Sequence, residues 1–127
     1  MSDNKGYIKN SDEKGSINIS EEVIAVIAAT AAADVEGVHG PYISHNAEFA
    51  NIRGRKGLAR GVKLYIDGDD ISLDINIIVE IGFSVSEVGM EVQKTIISAI
   101  EDTVGAKVNA VNVNICGIAL KKKGSLS

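Results

Sequence analysis

The sequence of 127 residues is poor in the residue types that most often carry chemistry: it has one Cys, one Pro, two His, no Trp, two Phe and three Tyr. A single Cys excludes a disulfide within the chain and is typical of a reducing compartment. With so few aromatic rings, the core must be aliphatic, and little flat surface is left on which bases could stack. The formal net charge of −4 argues against a general nucleic-acid binder, because that affinity comes mainly from basic residues at phosphates.

Long apolar segments are also missing. No apolar run approaches the roughly 18 to 20 residues that cross a bilayer, and the polar start of the chain lacks the apolar core of a signal peptide. We therefore expect a cytoplasmic protein. The length suits one domain over residues 15–120, between a mobile polar tail (1–14) and a basic tail (121–127).

The segment 61–81 organises the chain and predicts a β-hairpin. Apolar side chains occupy every second position in 71–81 and again in 62–66, which is the period of a strand with one buried face. Gly68-Asp69 between the two runs is typical of a two-residue hairpin loop. Such a loop places three apolar pairs opposite each other: Ile66 and Ile71, Leu64 and Leu73, Val62 and Ile75.

Two amphipathic helices flank this hairpin. The first is predicted to begin after Ser20, a favoured N-cap, and to end before Gly37. The second begins after Ser84, which forms a capping-box pattern with Glu87, and ends at Gly105. Strands are predicted at 15–19 and 108–120, whereas Gly40-Pro41 is expected to break regular structure, and 38–60 is left open.

The order strand, helix, hairpin, helix, strand predicts an α+β fold. The most economical arrangement is a two-layer sandwich, a four-stranded sheet with both helices on one face, in the βαββαβ order of ferredoxin-like folds. The other sheet face would then be uncovered and polar. The side chains expected there, as a surface for a polar partner, are Lys63, Tyr65, Asp74, Asn76, Asn112 and Asn114.

The sequence gives no reason to expect an enzyme, a cofactor or a metal. His39, His45 and Cys116 do not have the spacing of a zinc site, and Cys116 reads as a small strand residue rather than a nucleophile. Asp67-Gly-Asp-Asp70 begins like a calcium loop but lacks its later ligands, so a solvated turn explains it. No phosphate-binding loop or dinucleotide fingerprint is present.

The segment 51–60 is the one locally basic stretch. Its Arg53, Arg55, Lys56 and Arg60 could bind an acidic or phosphorylated partner, since Arg suits carboxylate and phosphate groups. Gly54-Arg55-Lys56-Gly57 also has the Gly-X-X-Gly form with which KH domains hold a nucleic-acid backbone. Too few residues follow it for the second helix of those domains. RNA binding through this loop is therefore kept as the alternative, beside a solvated loop.

Four blocks of sequence together resemble the alkaline shock protein family, the envelope stress response family of Gram-positive bacteria. The likeness covers about residues 15–120, and the order and spacing of the blocks fit. The segment 41–52 departs from it, because it is shorter and more polar than the glycine-rich segment expected there. The blocks are residues 15–24 (GSINISEEVI), 32–38 (AADVEGV), 54–62 (GRKGLARGV) and 111–118 (VNVNICGI).

The resemblance implies a non-enzymatic interaction or scaffold protein that has no catalytic residues. Some members of the family self-associate and are held at the inner face of the membrane by a membrane-spanning partner, without inserting themselves. Others are encoded beside a fatty-acid-kinase-like enzyme. Together with the open sheet face, this predicts a homo-oligomer that docks to a protein partner through that face, the basic loop, or both.

Overall fold

The computed structural model describes residues 7–43 and 61–120, the first six of them by their backbone alone. Two helices and six strands make up this part of the chain. In chain order they are β1 Tyr7–Asp12, β2 Gly15–Ser20, α1 Glu21–Ala33, β3 Val38–Pro41, β4 Val62–Asp67, β5 Asp70–Glu80, α2 Val85–Val104 and β6 Val108–Ala119.

A four-stranded sheet is built around β5. β4 and β3 follow each other along one edge of β5, both antiparallel to it, and β6 runs parallel to β5 along the other edge. The junction of β3 and β4 lies at Asn76, whose N–H donates to Gly61 O at 2.8 Å and whose O accepts from Tyr42 N at 2.9 Å. The hairpin register is the predicted one, with Val62 opposite Ile75 and Ile66 opposite Ile71.

The core lies between this sheet and the two helices. On β5 every odd-numbered residue from Ile71 to Val79 is buried, and these side chains meet apolar residues of α1 and α2. Fully burying one aliphatic side chain of this size is worth about 1.5–3 kcal/mol. No polar side chain is buried in the part of the chain whose burial is known. The predicted α+β sandwich with both helices on one sheet face is therefore confirmed.

Both helices begin at the predicted caps. The Ser20 hydroxyl accepts from Val23 N, and the Ser84 hydroxyl accepts from Glu87 N, each at 3.3 Å. These bonds satisfy N–H groups that the first turn of a helix leaves without an internal partner. α2 ends at Gly105 in the left-handed region, with φ at 80°. Ser84 and Gly105 therefore fix the start and the end of α2.

Three details of the strand prediction are wrong. The segment 7–12 belongs to a strand rather than to a mobile tail, and it pairs antiparallel with β2 in a separate two-stranded sheet. Consequently β2 is not the fourth strand of the main sheet. That place is taken by β3, which contains the Gly40-Pro41 pair that was expected to break regular structure. Proline is tolerated there because β3 lies at a sheet edge, where one N–H needs no partner.

Candidate functional site

The sheet face opposite the helices carries the polar side chains predicted for it. We call the surface formed by Lys63, Tyr65, Asp74, Asn76, Asn112 and Asn114 the open face. Lys63 and Tyr65 come from β4, Asp74 and Asn76 from β5, and Asn112 and Asn114 from β6. Side chains alternate between the two faces of a strand, so these residues lie on the face opposite the buried apolar side chains. The β4 and β6 members are exposed, and the β5 members are half-buried between them.

Asp74 lies at the centre of the open face and links all three strands. Its Oδ2 accepts from Tyr65 Oη at 3.3 Å, and its Oδ1 accepts from Asn112 Nδ2 at 2.8 Å. Lys63 Nζ lies 5.6 Å from the centre of the Tyr65 ring, within the range of a cation–π contact. These contacts hold an aromatic ring, a cation and a carboxylate together on an exposed surface.

A second row lies beside the first. Asn114 Nδ2 donates to Asn76 Oδ1 at 2.9 Å. The row forms because Asn76 pairs with Asn114 in the strand register, just as Asp74 pairs with Asn112. Each amide offers both donors and an acceptor. The open face therefore presents mixed hydrogen-bonding groups on a rigid support, which suits recognition of another polar surface.

The sequence prediction missed one feature of this face. His39 Nδ1 lies 3.8 Å from Glu80 Oε2 where β3 meets the end of β5. Glu80 is an even-numbered residue of β5, like Asp74 and Asn76, so its place on this face of the sheet could have been predicted. His39 could not, because it lies in the segment that the sequence left without an assigned structure.

The other predicted site residues stay untested. Arg53, Arg55, Lys56 and Arg60, with the Gly54–Gly57 motif, lie outside the described residues. Anion binding or RNA binding by that loop remains a prediction.

A groove of about 270 Å³ lies between α1 and β3, on the helix side of the sheet. Its described lining is apolar except for the Thr30 hydroxyl and includes no ionisable side chain. General acid–base or nucleophilic chemistry requires such groups to converge on a substrate. The described residues of the lining contain no such set of groups.

Within residues 7–43 and 61–120, no three His, Cys, Asp or Glu side chains lie close enough to hold a metal ion. Over the same ranges, no helix is both long enough and apolar enough to span a membrane. Fold and surface thus define a small α+β sandwich with one open, polar sheet face.

The chain belongs to the alkaline shock protein 23 family, which is described as having a cell envelope-related function and which it matches over residues 9–120. Similar curated proteins come from Gram-positive bacteria. The uncharacterized protein Spy1535 of Streptococcus pyogenes is 36% identical over 109 residues, which cover 85% of this chain and 82% of the relative. The uncharacterized protein YloU of Bacillus subtilis is 34% identical over 106 residues, covering 82% and 88%.

Among solved structures, the chain is similar to MamM CTD, with a TM-score of 0.48 and 18% identity over 76% of this chain and 96% of that one. A zinc form of MamM CTD gives a TM-score of 0.49 at 17% identity, covering 84% of this chain and 92% of that one.

Proposed function

We propose that this protein is a non-enzymatic interaction protein of the bacterial cell envelope, which self-associates and uses its open face to dock a protein partner. The partner would be a membrane-spanning protein or a fatty-acid-kinase-like enzyme, and the protein would act in the cytoplasm at the inner side of the membrane. The observation that supports this proposal is the cross-strand network centred on Asp74, where three strands present one continuous polar surface.

The composition of the open face suits a docking surface. Tyr65 is 47% exposed and is held in place by its bond to Asp74. Aromatic residues fixed in this way lose little entropy on binding and are frequent among the residues that dominate interface energies. The flanking Lys63 adds a positive charge to a chain that is acidic as a whole. An acidic or mixed polar surface would be complementary to it.

The family description agrees with this proposal. The family is described as having a cell envelope-related function. A protein partner that docks on the open face would connect this chain to the envelope.

Partner capture from native cells with two matched charge reversals tests the docking proposal. Lys63→Glu changes the open face, and Lys94→Glu makes the same change on the exposed side of α2. We expect a membrane-spanning or kinase-like protein to be retained by the unchanged protein and by Lys94→Glu, and to be reduced about tenfold or more with Lys63→Glu. Equal retention by both variants would show that docking uses another surface.

A further inference from the structure

The outer edge of β6 is a second candidate surface of the sheet. In the described part of the chain, β6 pairs with β5 and with no other strand. Sheet edges in soluble proteins are usually protected by charged residues, by proline or by a cover. The opposite edge has these features, with Lys63 and Asp67 on β4 and Pro41 on β3.

β6 has almost none of this protection. None of its 12 residues is charged or proline. Its pairing with β5 shifts register near each end, between Ile71 and Ser72 and again between Ile77 and Ile78. Between the two shifts, residues 110–115 pair regularly with β5. A regular, uncharged edge of this length is a template for another strand.

Side chains of α2 cover only the beginning of this edge. Glu101 Oε2 accepts from Val108 N at 3.0 Å, and Gln93 Nε2 donates to Val111 O at 3.0 Å. Val111 O accepts from a side chain of α2, and we infer that it points away from β5. Alternate residues of a strand face alternate edges, so the backbone groups of Val113 and Ile115 would point the same way. Apart from the pairing of β6 with β5, no hydrogen bond from a described residue reaches the backbone of Val113 or Ile115.

Exposed apolar side chains surround the other end of the same edge. Ile118 is 56% exposed, and Leu120 next to the end of β6 is 76% exposed. Ile81 is 55% exposed and also lies at the end of β6, where its N–H donates to Ala119 O at 2.7 Å. Apolar side chains beside an open edge favour a partner that covers both.

We propose that a second copy of this chain pairs with β6, antiparallel and two-fold symmetric, with Asn114 on the symmetry axis. This proposal rests on the proposed self-association and specifies its surface. In this register Val113 of each copy exchanges backbone hydrogen bonds with Ile115 of the other copy. The outward-facing N–H and C=O groups of these residues are thereby paired.

The side chains and charges of the edge favour a second copy over an unrelated strand. Asn114 already donates to Asn76, and an amide has a further donor and an acceptor, so it can bond to its own copy across the axis. A charged residue in the same position would repel its copy. The chain carries a net charge of −4, and two copies approach each other with least repulsion along a strand that has no charge. The result is a continuous sheet whose two open faces lie side by side.

Disulfide trapping tests the register. Asn114→Cys in a Cys116→Ser background brings two Cα atoms to about 4.5 Å across the axis, within disulfide range. Asn112→Cys in the same background is the matched control, because its own copy lies four residues further along the paired strands. We expect mild oxidation to give a covalent dimer with the Asn114→Cys variant and monomer with the Asn112→Cys variant. Equal cross-linking of the two would overturn the register.

Light scattering of charge variants tests the edge itself. Asn114→Lys places two cations opposite each other and is expected to raise the dimer dissociation constant about tenfold or more. Asn18→Lys on β2, also exposed, is expected to leave that constant unchanged. A dimer that is unaffected by Asn114→Lys and is not trapped by the Asn114→Cys variant would overturn edge pairing alone. An unchanged protein that is monomeric at every concentration would overturn both this proposal and the proposed self-association.

Discussion

One methyl group added at Gly61 is expected to destabilise the fold far more than the same methyl group added at Gly105. Both residues have a positive φ, 77° at Gly61 and 80° at Gly105. Alanine in this conformation costs about 1–2 kcal/mol at either position. The two sites differ in the space around the new Cβ atom, so the pair separates backbone strain from steric exclusion.

The structure gives the size of the second effect. A Cβ atom on Gly61 would lie 2.9 Å from Asn76 O and 3.1 Å from Tyr42 O, both backbone atoms, whereas nothing lies within 4 Å at Gly105. Relief of such overlap requires movement of the β3–β4 junction and typically costs about 1–3 kcal/mol more. We therefore expect a loss of about 2–5 kcal/mol for Gly61→Ala and about 1–2 kcal/mol for Gly105→Ala.

Urea unfolding followed by circular dichroism measures both losses. Parallel thermal melts should show a lower Tm for Gly61→Ala than for Gly105→Ala, by roughly 4 °C for each kcal/mol of difference in a chain of this size. Equal losses in the two variants would mean that β3 and β4 do not meet tightly at Asn76. The description of that sheet edge would then be wrong.

Three further substitutions test the helices, the core and the open face, all by urea unfolding. Ser84→Ala removes the hydroxyl that caps α2 and should cost about 0.5–2 kcal/mol, whereas Ser86→Ala should cost less; the reverse order would place the helix start elsewhere. Ile100→Ala, fully buried on α2, should cost about 2–5 kcal/mol, and a loss below about 1 kcal/mol would contradict its burial. Asp74→Ala removes the acceptor of two exposed hydrogen bonds and should cost no more than about 1–2 kcal/mol, so a variant that fails to fold would show that this residue supports the core rather than a surface.

The β4–β5 hairpin, the helix starts and the open face could be predicted from the sequence, because each depends on residues close together in the chain. The hairpin register follows from a two-residue loop and alternating apolar residues, and both are read within twenty residues of chain. The helix starts follow from Ser20 and Ser84 for the same reason, because a cap bonds only three residues ahead. The six residues of the open face follow from the alternation of strands whose buried side was already known.

The missed features are strands whose own residues show no alternating apolar pattern. β3 has four residues, too few to show a period, and its place is set by pairing with Val79, Ile78 and Ile77 far along the chain. β1 is mostly polar, and it pairs with β2 along its whole length across a two-residue turn, which its sequence alone did not indicate. An alternating apolar pattern reveals the buried side of a strand, and a short loop reveals its hairpin partner, but a strand without such a pattern shows neither.

The thiol of Cys116, the single cysteine of the chain, tests most directly whether one side of the sheet is uncovered. It follows Asn112 and Asn114 on β6 and is exposed, and its hydrogen bond within the described part of the chain is a long one of 3.7 Å to Asn114 O. In the folded, purified protein we predict that it reacts promptly and completely with an aromatic disulfide reagent, including in the proposed edge-paired dimer. A thiol that reacts only after the protein is unfolded by denaturant would contradict the open face on which the proposed docking depends.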